Sequence, residues 1–245
     1  MVVVQLFVIG ADMLFVFIPF ILLLVIAFPA DAAVPEQEVL RFEILRNEKP
    51  FGFHEIRFSQ DGNQVMTDIS IEMTYKFGPL TLFKYRHTNR EVYERGALVS
   101  LDAQTNDDGK RLFVRAEKNG KELDVKTHEE DYMAPLTALP STYWHTLYLD
   151  DDRLINTQYG GHNRVTVERS GQDRREITGV ERDVVLYDFE DLKAGNKATF
   201  IYDLKTGQWV GLEMSIRGSE LRYVRQTPLT GSAEYGQDYL AAQFK

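Results

Sequence analysis

Val65–Phe77, VMTDISIEMTYKF, is the stretch on which the fold turns. Val65, Thr67, Ile69, Ile71, Met73, Tyr75 and Phe77 fall on one side. Met66, Asp68, Ser70, Glu72, Thr74 and Lys76 fall on the other. Strict alternation of this kind marks a strand with one buried face. At about 3.3 Å per residue it would run roughly 40 Å. That exceeds an ordinary strand and suits a strongly twisted sheet or a barrel wall.

The pattern spreads in both directions. Gly78-Pro79 turns the chain, and Leu80–Tyr93 returns with Phe83, Tyr85 and His87 on one face and Lys84 and Arg86 on the other. Upstream, Val39–Arg46 alternates and Asn47-Glu48-Lys49-Pro50 reads as a turn. Phe51–Ser59 follows with a phase slip that places a β-bulge over Gly52–Glu55. Downstream, Leu98–Thr105, Arg111–Glu117 and Lys121–Thr127 are joined by Asn106-Asp107-Asp108-Gly109 and Asn119-Gly120, which are hairpin-turn signals.

The alternation stops at residues 128–160. Pro135 and Pro140 disfavour a long helix or a central strand over Tyr132–Pro140. Ser141–Leu149 reads as a short helix capped by Ser141 or Thr142. The acidic Asp150-Asp151-Asp152 run opposes the helix dipole and favours an end near His145. Strands then resume: Arg153–Tyr159, a hairpin of Val165–Arg169 and Arg174–Gly179 around Gly171-Gln172-Asp173, and then Asp183–Phe189, Lys197–Leu204, Gln208–Arg217 and Glu220–Arg225. Short links imply antiparallel neighbours. The expectation is an all-β fold: a large curved antiparallel sheet or open barrel with one short helical or loop insertion. It forms a single domain over residues 33–227, followed by a flexible tail over 228–245.

The first 32 residues stand apart. Met13–Phe28 carries no charge, and Ala30-x-Ala32 fits a small-residue cleavage site. The run is shorter than the roughly 20 apolar residues of a membrane span. It reads as a signal peptide, although no Lys or Arg precedes Arg41 to supply a positive leader. The expected location is the periplasm of a Gram-negative bacterium. The alternative is an uncleaved anchor in the inner membrane with the domain facing the periplasm. That segment is the one membrane contact expected. The formal charge of −9 argues against nucleic acid and against electrostatic docking on anionic lipid. The chain has no cysteine, which excludes disulfides, Cys-ligated zinc and thiol catalysis.

Several segments carry a family resemblance. They are Phe77–His87, Asn106–Gly109, Pro140-Ser141-Thr142-Tyr143-Trp144, Asn156-Thr157-Gln158-Tyr159-Gly160, Trp209-Val210-Gly211-Leu212 and Arg217-Gly218-Ser219-Glu220. The chain resembles a group of uncharacterised exported bacterial proteins, the domain of unknown function 6134. The resemblance brings no assigned activity or catalytic residue. A looser similarity, of fold alone, is to periplasmic half-barrels that carry lipid or lipoprotein in a concave sheet.

Candidate chemistry is thin. Ser141, His145 and Asp150–Asp152 have the residue types of a serine hydrolase, but no G-x-S-x-G elbow or glycine-rich oxyanion loop accompanies them. Ser141 as a helix cap and His145 as a polar rim residue is the simpler account. His54, His87, His128, His145 and His162 lack metal-ligand spacing, so neither a metal nor any other cofactor is implied. Tyr85 and His87 share a strand face, and Tyr143 and Trp144 can cover the open side of the sheet. With Asn156 they are the candidates for binding an apolar or amphipathic small molecule in the concave face. The alternative is a structural or interaction protein of the envelope, with partner unknown, whose interior is filled by these same side chains.

Overall fold

The computed structural model describes residues 39–145, 153–192, 195–216 and 218–229. The expected signal segment, Asp150–Asp152 and nearly all of the expected tail lie outside these residues. Fifteen strands follow in order: β1 (Val39–Arg46), β2 (Lys49–Asp61), β3 (Gln64–Phe77), β4 (Leu80–Glu94), β5 (Ala97–Asp107), β6 (Lys110–Asn119), β7 (Glu122–Thr127), β8 (Tyr132–Pro135), β9 (Leu139–Pro140), β10 (Arg153–Asn156), β11 (Gly161–Ile177), β12 (Val180–Asp191), β13 (Lys197–Asp203), β14 (Trp209–Ile216) and β15 (Ser219–Arg225). No helix occurs among the described residues.

The strands form one sheet in the order β8-β7-β6-β5-β4-β3-β2-β1-β15-β14-β13-β12-β11-β10-β9. Every pairing is antiparallel except the short parallel contact of β9 with β10. The first and last strands are neighbours, with Phe42 opposite Arg225. The sheet's two edges, β8 and β9, are separated in the chain by Leu136–Ala138 alone. A link that short holds the edges within about 15 Å. Ala134 of β8, Ala138 of the link and Ile155 of β10 share one apolar cluster across this seam. The sheet is therefore barrel-like without being closed by hydrogen bonds. Pro135 and Pro140 sit on the two edge strands, where a missing N–H costs no ladder bond.

The inner face follows from the alternation. On β3, Val65, Thr67, Ile69 and Ile71 are buried, as expected, but the strand then leaves the core and Tyr75 and Phe77 are exposed. On β2 the bulge falls at Phe51, just before the expected Gly52–Glu55, because the register with β1 shifts between Ile44 and Leu45. The shift turns His54, Ile56 and Phe58 inward.

Two expectations fail. Val165–Arg169 and Arg174–Gly179 are not a hairpin. They are the two halves of the single strand β11, which pairs with β12 from Val165–Asp191 to Ile177–Val180. The glycine at 171 marks a bulge rather than a turn, with the register shift between Arg169 and Gly171. The turn lies at Thr178 and Gly179, whose φ values of 49° and 80° match a tight hairpin. The helix expected over Ser141–Leu149 is absent through His145, beyond which the chain is outside the described residues. Tyr143 has φ 64°, a left-handed value that no helical turn accommodates.

Candidate functional site

Residues 141–145 leave the sheet edge and enter its interior. The Ser141 N–H donates to the Ile155 carbonyl, and the Trp144 N–H donates to the Thr142 carbonyl. Two aromatic side chains then face opposite halves of the sheet. The Tyr143 ring lies 4.5 Å from Phe200 and 6.2 Å from Phe189, and its carbonyl accepts the Tyr202 hydroxyl at 2.9 Å. The Trp144 ring meets Phe58 edge-on at 5.2 Å, Tyr93 at 5.8 Å and His145 at 4.6 Å. The Trp144 indole Nε1 donates to Glu91 Oε2 at 3.4 Å. One short segment thus ties β13 to β4 through the middle of the fold.

Glu91 centres this arrangement. It is fully buried. Its Oε2 accepts from Tyr93 at 2.7 Å and Thr67 at 3.1 Å, and its Oε1 accepts from the Asn89 amide at 2.6 Å. Burial pushes its pKa up, and the donors from Tyr93, Asn89, Thr67 and Trp144 pull part of the way back. Burial also pushes the Tyr93 hydroxyl well up, with the Glu91 charge adding to the effect. The carboxyl has no solvent exposure and accepts from four donors. The Trp144 bond is the longest of the four and is the one that reaches outside the β3–β4 pair.

Sequence reasoning missed Glu91, although its signal was present. The alternation on β4 that carries Tyr85 and His87 continues through Asn89, Glu91 and Tyr93 and forms a polar strip facing inward. Five polar side chains on one buried face are rare in a strand. The strip is matched across the sheet: Thr67 lies opposite Glu91 on β3, and Thr105 lies opposite His87 on β5.

The expected site residues separate into two groups. Tyr85, His87, Tyr143 and Trp144 all face the interior. His87 Nδ1 pairs with Thr105 Oγ1 at 2.9 Å, and burial lowers its pKa to about 4. Tyr143 is pushed up to about 12 by burial, with a hydrogen bond to Ser141 opposing. Asn156 does not join them. Its side-chain oxygen accepts the N–H groups of Gln158 and Tyr159 and so forms the turn after β10. Ser141 does not cap a helix, and its Oγ accepts from the Thr157 N–H at 3.3 Å. His145 is buried beside Tyr93 and Trp144 rather than on a rim, and burial lowers its pKa to about 4. Among the described residues no group of His, Asp and Glu could hold a metal ion.

His54 is a further interior imidazole, among Phe42, Trp209 and Tyr223 at 5.4–6.2 Å. Burial and the nearby His87 lower its pKa to about 3. Both ring nitrogens of His54, the Tyr85 hydroxyl and Asn89 Oδ1 are buried without a hydrogen-bond partner. Among the described residues, two of the surface clefts lie away from Trp144. One of about 470 Å³ is lined by Arg41, Glu43, Pro50 and Phe53. One of about 510 Å³ crosses β11–β15 and is lined by Glu168, Asp188, Glu190, Glu213 and Glu220.

Residues 42–226 match the family model described as Domain of unknown function (DUF6134). The chain belongs to that family. No curated protein matches this DUF6134 chain. Among solved structures it is similar to a beta-barrel-like protein of the domain of unknown function DUF1849 from Brucella abortus. The two share 11% identity with a TM-score of 0.53, over 77% of this chain and 95% of the other. At that identity the likeness shows a shared fold and nothing of activity.

Proposed function

We propose that this DUF6134 protein is an exported, periplasmic envelope protein that acts through its outer surfaces, its sheet wrapped around a plug formed by its own residues 141–145. The observation that carries this reading is the seating of Trp144, with its indole on the buried Glu91 and its ring against Phe58, Tyr93 and His145. That is the position a ligand in the concave face would need. The hydrolase reading loses support, since Ser141 is engaged with the Thr157 N–H and the neighbouring His145 is buried. The uncharged Met13–Phe28 run supports export, or an anchor on the periplasmic side of the inner membrane.

A second reading has its own support. The unpartnered His54 nitrogens and Tyr85 hydroxyl are groups that a buried water or the polar head of an amphipathic molecule would satisfy. Native mass spectrometry of protein purified from its own periplasm separates the two. A spectrum of bare polypeptide is expected for the self-filled barrel. A bound mass released by organic solvent would overturn it in favour of a carrier.

A further inference from the structure

The β3–β4 hairpin outgrows its neighbours. β3 pairs with β2 only as far as Met73–Gly52, and β4 pairs with β5 only from Tyr85–Asp107. Residues 74–84 therefore project as a two-stranded ribbon, about 13 Å beyond the sheet on the β3 side. Its composition is not that of an ordinary turn. Phe77, Leu80 and Leu82 are 71%, 61% and 53% exposed, and Tyr75 stands at the base at 41%. Gly78 and Pro79 make the apex. Cross-strand pairing puts Tyr75 opposite Phe83 and Phe77 opposite Leu80 on one face, and Lys76 opposite Thr81 on the other. The ribbon is amphipathic: at its base Phe83 stacks on Phe51 at 6.1 Å, while Phe77, Leu80 and Leu82 toward the apex stay exposed.

We infer that this tip docks on a lipid bilayer rich in anionic headgroups, which rests on the reading that the protein acts through its outer surface. Charge is the first argument. Residues 74–84 hold Lys76 and Lys84 and no acid, in a chain of net charge −9. Among the described residues no ion pair reaches either lysine, whereas Arg86 and Arg90 pair with Glu72 and Asp68. The acidity of the whole chain, which argues against electrostatic docking on lipid, reaches the base of the ribbon, where Asp108 accepts the Lys84 N–H at 3.3 Å, and does not extend to its apex. Arrangement is the second argument. Phe and Leu at the apex, a Tyr at the base and Lys at the flanks is the order in which side chains meet hydrocarbon, interface and headgroup. The Arg46 guanidinium sits 4.7 Å over the Tyr75 ring and adds a cation at the same level. Size is the third. About ten residues fall short of the 20–30 a side that a stable protein interface uses, while a bilayer needs no matching surface. Free backbone edges on the ribbon limit immersion to the side chains of the apex, because unpaired N–H and C=O groups do not enter hydrocarbon.

The tip lies at the far end of the sheet from Val39, the first described residue. Val39, where β1 begins, pairs with Arg57, and Arg57 pairs with Asp68. Asp68 lies nine residues, or about 30 Å, down β3 from Phe77.

The absence of cysteine makes the test direct. Thr81→Cys and, at the other end of β3, Asn63→Cys would each be labelled with an environment-sensitive fluorophore in the full chain. Each is then mixed with vesicles of phosphatidylcholine containing phosphatidylglycerol. A blue shift at position 81 and none at 63 is expected. The shift should need at least tenfold more lipid in the Phe77→Asp/Leu80→Asp variant, and should weaken without phosphatidylglycerol. That variant lies outside the core, so an unchanged melting curve confirms that it folds. No shift at 81, or equal shifts at 81 and 63, would overturn the inference. So would a shift that grows with protein concentration without lipid, which would mark a second copy as the partner. None of these outcomes bears on whether the interior is filled.

Discussion

The Trp144 indole donates to the Glu91 carboxylate at 3.4 Å, joining a segment outside the sheet to the most deeply buried acid of β4. Removing that acid strands its donors. Glu91→Ala leaves Tyr93, Asn89 and Thr67 without the acceptor they share, and a single buried unpaired group already costs about 1–3 kcal/mol. We expect a loss of about 3 kcal/mol or more in urea unfolding. Glu91→Gln, with its volume kept but an NH₂ facing donors, should fall between Ala and wild type.

Trp144→Ala should cost about 3–5 kcal/mol, as truncation of a packed aromatic does when its surroundings relax only in part. Trp144→Phe retains the ring contacts to Phe58 and Tyr93 and gives up the hydrogen bond to Glu91, so it should lose much less. If Trp144 were a loose lid, both variants would melt close to wild type.

Acid should unfold the protein early. The pKa values of His54, His87 and His145 are lowered by burial to about 3, 4 and 4. Each imidazole is therefore neutral when folded and takes up a proton on unfolding once the pH drops below about 6.5. The unfolded state binds more protons in this window, so stability is intact above pH 6.5 and falls as pH drops toward the folded values. Each histidine removes up to about 1.4 kcal/mol per pH unit. Glu91 has the opposite sign. Its raised pKa favours the folded state at low pH and ceases to do so as pH rises through the folded value. Urea midpoints at pH 7.5 and pH 5 should differ, and His54→Phe should flatten that difference. Equal slopes in variant and wild type would contradict the assignment.

The seam between the sheet edges is tested at Gly160. Its φ is 77°, and a Cβ there would lie 2.3 Å from Thr127 Cγ2. Thr127 cannot yield easily, since its Oγ1 donates to the Glu130 carbonyl and accepts the N–H groups of Glu129 and Glu130. Gly160→Ala should destabilise by about 2 kcal/mol or more through strain and overpacking together. Gly62→Ala shares the positive φ but has open space around it, and should cost only about 1 kcal/mol.

Much of the architecture was legible because period-2 patterning is local. Val65–Ile71 states its inner face outright, and the hairpin turns at Gly62, Gly109 and Gly120 fall at positive φ. What failed was non-local. Gly171-Gln172-Asp173 has the composition of a turn, and only the length of β12 opposite shows it to be a bulge. Trp209 is fully buried because a register shift between Ile201 and Tyr202 re-aims it, and no alternation in Gln208–Arg217 predicts that. The site was half legible. Tyr143 and Trp144 are legible as aromatics that plug the open side of the sheet, whereas the helix expected to carry them is excluded by Tyr143's left-handed φ.

Whether residues 141–145 fill the interior can be read from acrylamide quenching of the wild-type tryptophan fluorescence. The chain has two tryptophans, Trp144 in the plug and the fully buried Trp209. A blue-shifted emission that acrylamide quenches weakly is expected, with Trp209 inaccessible and the half-buried Trp144 reached only slowly. A readily quenched, red-shifted component from about half of the emission would put Trp144 in water and contradict a filled interior.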